Sequence, residues 1–127
     1  MQLWMVQEGV HHAYCICVLH THGWRPAGVY KIRQVLMAQA VGADYVAPYL
    51  GRIADGIGKS YLANTSSESF SSPEEHQQEI KQAAMEAALD AVTAMQAGVT
   101  ATGSQMRVLV ASIRDASDIS TLAARVS

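Results

Sequence analysis

The chain has 127 residues, of which 50% are hydrophobic and 16% charged, and a formal net charge of −2. That balance gives no electrostatic reason to expect nucleic acid or an anionic membrane surface as a partner, so any phosphate recognition must be local. No apolar run reaches the roughly 18 residues a membrane-spanning helix needs, and the N-terminus lacks the basic-then-apolar order of a secretory signal.

Residues 1–28 form an atypical N-terminal segment. Gln2 to Val10 reads as a helix ending at Glu8-Gly9. His11 to His22 then mixes histidine, cysteine and bulky apolar residues, and fits no template beyond a strand at Ala13 to Leu19. On such a strand Cys15 and Cys17 have Cα atoms about 7 Å apart, near the limit of disulfide geometry. Reduced thiols and a cytoplasmic compartment are therefore expected, or a plastid if a targeting segment precedes the chain. A zinc or copper site is the rival reading, since His11, His12, Cys15, Cys17, His20 and His22 are soft ligands packed closely together. Their spacing matches no usual ligand pattern, and strand alternation sends Cys15/Cys17 and His20/His22 to opposite faces.

From Val29 to Ala43 the apolar residues Ile32, Val35, Leu36 and Ala40 recur at helical spacing, and Gly42 stands where a helix stops. Ala43 to Ala47 reads as a short strand of a parallel sheet buried on both faces. Gly51 to Gly58 reads as a glycine-bearing loop, and Lys59 to Ser72 as a polar surface excursion. Ser72-Pro73-Glu74-Glu75 combines a capping hydroxyl, a first-turn proline and acids facing the positive end of the helix dipole. The helix it starts is predicted to run to about Ala97, with Met85, Ala88, Leu89, Val92 and Met95 buried and Gly98 ending it. Met106 to Ala111 is a second strand, and Asp115 with Ser117 can cap a last helix through Leu122 and Ala123.

Ala43 to Ala111 is thus a β-α-β unit, and in such units ligands sit beyond the carboxyl ends of the strands. Tyr49, Arg52, Ser112 and Arg114 all fall there. A guanidinium suits phosphate because its fork of donors matches two oxygens and stays charged, while a serine hydroxyl and a helix N-terminus add further donors. By residue type alone, Arg52 and Arg114 read as solvated surface arginines.

Val46-Ala47-Pro48-Tyr49-Leu50-Gly51-Arg52-Ile53 and Val110-Ala111-Ser112-Ile113-Arg114 resemble the transaldolase family. The likeness also takes in Val29-Tyr30, Gln34, Ala38-Gln39-Ala40 and Gly42-Ala43, resumes from Met106 to Ala124, and includes Gln7-Glu8-Gly9-Val10, similar to the family's turn after the preceding helix. It implies a class I aldolase of the transaldolase or fructose-6-phosphate aldolase type, which transfers or cleaves a dihydroxyacetone unit through a lysine Schiff base with no cofactor. By that resemblance Arg52, Ser112 and Arg114 match the phosphate-binding positions, and Tyr49 an auxiliary catalytic position of the fructose-6-phosphate aldolase branch. The substrate would be a sugar phosphate, and the full-length family member a homo-oligomer.

A complete (β/α)8 barrel needs roughly 200 residues, so the expected fold is α/β, a partial (β/α)8 TIM barrel, incomplete at both ends and occupying residues 29–127. Residues 14–28 then stand where the family has a barrel strand and read as an insertion, such as a retained intron, predicted to fold poorly. An open partial barrel exposes edge strands, so self-association is expected. The family's Schiff-base lysine lies in a Lys-Val/Ile-Pro motif, and no such motif occurs here. Lys31, Lys59 and Lys81 are the only lysines. The chain is therefore expected to be inactive by itself; the alternatives are a non-catalytic sugar-phosphate-binding or interaction module, or a truncated product without function.

Overall fold

A computed structural model describes residues 3–8, 13–20, 23–40, 42–64 and 73–126, with side chains from residue 28 onward. The elements in order are β1 (Leu3–Glu8), β2 (Ala13–His20), β3 (Gly23–Val29), α1 (Ile32–Ala40), β4 (Tyr45–Pro48), α2 (Leu50–Asn64), α3 (Pro73–Ala101), β5 (Arg107–Val108) and α4 (Ala116–Val126). The strands pair in chain order, β1-β2-β3-β4-β5.

A partial TIM barrel is not what these elements form. The described chain is mostly helical, and only β3, β4 and β5 run parallel. β2 runs antiparallel to both of its neighbours, β1 and β3. The cause is the length of the connections: residues 9–12 and 21–22 are all that separate these strands, whereas a parallel crossover takes a dozen residues or more. Leu3–Glu8, expected to be helical, is a strand because it finds a partner: Leu3 pairs with Val18 and Glu8 with Ala13. The strand expected at Ala13 to Leu19 is present as β2, and residues 23–28 of the segment read as an insertion lie in β3.

β3 joins β4 through a register shift between Ala27 and Val29. Gly28 lies at that irregularity with φ +71°, a conformation that costs a residue with a Cβ about 1–2 kcal/mol. Val29 ends β3 rather than starting the helix. The Gln34 side chain reaches back so that its Oε1 accepts the N–H groups of Tyr30 (2.8 Å) and Lys31 (3.0 Å), starting α1. This is one half of a capping box. At the other end Gly42 takes φ +78°, while the Ala43 and Gly42 amides donate to the Ala38 and Gln39 carbonyls at 2.9 and 3.0 Å. Those paired bonds are the Schellman closure that the position of Gly42 suggested.

The stretch read as a loop from Gly51 to Gly58 is helix. Leu50, Ile53 and Ala54 are buried and Ile57 packs against the same core, so an apolar stripe at helical spacing outweighs three glycines. α3 likewise passes through Gly98, where a Cβ would lie 3.1 Å from Ile32 Cδ1. Gly98 thus marks the close approach of α1 and α3. Gly103, with φ +65°, makes the stop instead, its amide donating to Thr100 and that of Ser104 to Val99.

α3 touches α1, α2 and α4, and the buried core joins Val35, Val46, Leu50, Leu89, Val92 and Met95. Burial alternates along β4, with Val46 and Pro48 covered and Tyr45 and Ala47 only partly so. The expectation of a sheet buried on both faces is corrected by this alternation. On β5 Arg107 is exposed, and Leu109 just beyond it is 59% exposed. α4 is tied to α3 by Arg125, whose guanidinium donates to Asp90 at 2.6 Å and Glu86 at 2.5 Å.

Candidate functional site

The carboxyl ends of β4 and β5 lie side by side because the strands are parallel: Leu109 N–H donates to Val46 O and Ala111 N–H to Pro48 O. Tyr49 continues the ladder as a single bridge to Ala111. The chain then turns directly into α2, whose first amides, Leu50 and Gly51, donate to the carbonyls of Ala111 (2.9 Å) and Ser112 (3.0 Å). These donors are used within the fold, so the start of α2 offers them to no ligand.

Tyr49 packs edge-to-face on Tyr30, with centroids 6.3 Å apart, and the Arg52 guanidinium carbon lies 5.8 Å from the Tyr49 ring centre. Arg52 points into an open cleft of about 530 Å³ lined by Tyr30, Arg52, Asp55, Gly56, Lys59 and Arg114. Arg114 reaches the cleft from the segment after β5. Its two terminal nitrogens donate to the two carboxylate oxygens of Asp55 at 2.7 and 2.6 Å. The Arg114 hydrogen bond is the main cause that holds the Asp55 carboxyl below its ordinary pKa, with Lys59 and Arg52 adding to it through their charge. Arg114 is in turn raised, chiefly by the same hydrogen bond. One carboxylate therefore faces three cations.

Of the residues singled out in the sequence, the structure brings Arg52 and Arg114 onto one cleft and sets Tyr49 beside Arg52. Ser112 is exposed and is not among the lining residues. Its contribution here is backbone: it has φ 58°, unusual for a residue with a side chain, and its carbonyl receives the Gly51 amide. The favourable partial charge expected from the last helix is already answered. Asp115 Oδ1 accepts the Ser117 N–H and hydroxyl, each at 2.9 Å, and these bonds hold the Asp115 carboxyl below its usual range.

Asp55 is not singled out in the sequence, and neither Lys59 nor Tyr30 is given a place at the site there. With residues 51–58 read as a loop and 59–72 as a surface excursion, no periodicity is available to relate them. On a helix Arg52, Asp55, Gly56 and Lys59 fall at i, i+3, i+4 and i+7, one face. Lys59, expected in a loop, is thus a helical residue at the cleft, while Lys31 and Lys81 are exposed on α1's approach and on α3.

His11, His12 and His22 lie outside the described residues, as do the side chains of Cys15, Cys17 and His20. Among the described residues, no cluster of three or more His, Cys, Asp and Glu could hold a metal ion, and no helix is long and apolar enough to cross a membrane. Comparison with protein-family models, with curated proteins and with solved structures returns no match.

Proposed function

We propose that the chain binds a phosphate ester, a sugar phosphate by the resemblance of its two strand-end segments to the transaldolase family, and that it does so without catalysing the family's reaction alone. One observation carries this reading: Arg52, Lys59 and Arg114 converge on a single open cleft against one carboxylate. A phosphate dianion can take the fork of Arg52 directly and compete with Asp55 for that of Arg114. Ser112 is proposed as an additional donor, and Tyr49 as the residue that orients Arg52.

Schiff-base chemistry requires an amine activated by desolvation or by neighbouring charge. Lys59 is the lysine in the cleft, and it is exposed. The family's Lys-Val/Ile-Pro motif is absent from the chain, and binding is accordingly the better reading than aldol transfer. Calorimetric titration with fructose 6-phosphate tests it: Arg52→Ala is expected to weaken binding about tenfold, the loss of a charge-assisted pair. Borohydride reduction in the presence of the same sugar, followed by intact-mass measurement, is expected to show no adduct. An adduct on Lys59 would replace the binding role with aldolase chemistry.

A further inference from the structure

A second cleft opens beside the first. Ala54, Gly58 and Leu62 on α2 and Ile80, Ala84 and Met85 on α3 line a groove of about 520 Å³. A Cβ on Gly58 would lie only 3.6 Å from the Ala84 Cβ, so the helices meet closely at this point. Leu62 is nonetheless 50% exposed. Apolar surface left in water carries an unfavourable hydration free energy that an apolar ligand can remove.

The groove is not electrically neutral. Lys59, Lys81 and Arg114 stand on its border against Asp55. Asp55, Lys59 and Arg114 also line the cationic cleft, so the two depressions adjoin along α2. We propose that together they form one bipartite site for a soluble phosphate monoester whose organic part is apolar. The phosphate is held by Arg52, Lys59 and Arg114, and the chain or ring lies between α2 and α3. This rests on the phosphate-ester part of the reading above and replaces its sugar, which came from the resemblance alone, by an apolar group. Charge complementarity selects the anionic head, and Leu62, Ile80 and Met85 favour an apolar tail over a bare sugar, whose hydroxyls would find partners only on the polar border, at Gln77 and Lys81.

The test is titration of the full chain with methyl phosphate, hexyl phosphate and hexanol. Each buried methylene is worth about fourfold in affinity. Hexyl phosphate is therefore expected to bind at least about tenfold more tightly than methyl phosphate, even with its chain partly exposed. Hexanol, lacking the head, is expected to bind far more weakly than hexyl phosphate. Leu62→Gln, at a half-exposed position that tolerates a polar side chain, is expected to reduce the hexyl advantage and leave methyl phosphate binding unchanged. Equal affinity for the two phosphates would overturn the bipartite site while leaving the phosphate reading intact. Binding of neither would overturn both. Hexanol binding as tightly as hexyl phosphate would separate the groove from the cations and so overturn the proposal. Capture on phosphatidic acid vesicles without binding of hexyl phosphate would do the same by assigning the cations to a lipid surface.

Discussion

Gly51 and Ser112 are in such close contact that a Cβ on Gly51 would lie 2.7 Å from the Ser112 carbonyl oxygen and 2.7 Å from Arg114 Nε. The same carbonyl receives the Gly51 N–H at 3.0 Å. The start of α2 and the segment carrying Arg114 are thereby locked together through a position without a side chain. A long arginine can swing away, but the carbonyl is backbone and cannot.

Gly51→Ala is consequently expected to destabilise the chain by about 1–3 kcal/mol, the usual cost of forcing an extra carbon into a packed site. It should also displace Arg114 from Asp55. Denaturant unfolding measures the first effect and phosphate titration the second; unchanged stability would contradict the close approach.

Asp55 occupies the guanidinium that a ligand phosphate would use. Asp55→Asn removes the competing charge and is expected to raise phosphate affinity by about threefold or more, the scale of an exposed ion pair. The pH dependence follows from the direction of the Asp55 shift. Its folded pKa lies below the ordinary 3.8, so its stabilising contribution is complete above that value and is lost as pH falls through the lower folded one. The stability difference between wild type and Asp55→Asn should be flat from pH 5 to pH 8, in the sense of about zero slope, and should shrink only in more acid solution. A difference that changes near neutrality would implicate another group.

Ser112→Gly separates backbone strain from ligand contact. At φ 58° a glycine relieves an unfavourable conformation, and the expected gain is up to about 1 kcal/mol after the added entropy of the unfolded chain. If the hydroxyl donates to phosphate, affinity should fall in the same variant. A more stable protein with unchanged affinity would remove Ser112 from the site.

Gln34 is buried, 4% exposed, and its Oε1 accepts both amides at the head of α1. Gln34→Ala leaves those donors without their acceptor and is expected to cost about 1–3 kcal/mol. Gln34→Glu keeps the oxygen and should recover part of the loss in thermal unfolding.

Several local features were legible in the sequence because they depend on one or two residues. Gly42 as the stop of α1, Pro73 at the head of α3, Asp115 with Ser117 as the cap of α4, and the buried Ala88, Leu89, Val92 and Met95 all follow from backbone preference or helical period. Other features depended on contact with distant parts of the chain. Glycines 51, 56 and 58 favour a loop locally, and α2 forms because burying Leu50, Ile53 and Ala54 against the core outweighs that preference. Leu3–Glu8 is a strand because Ala13–His20 pairs with it.

Resemblance at two strand ends drew attention to Arg52 and Arg114, but their common cleft required the parallel register of β4 with β5. Asp55 and Lys59 join them only because α2 is a helix, which puts residues three, four and seven apart on one face. The sequence by itself determined which charged groups this protein has, where α1 ends and where α3 and α4 begin, since those are matters of local chemistry. Only the tertiary structure decided that three cations share one carboxylate beside an apolar groove, because that arrangement depends on which surfaces the core brings together.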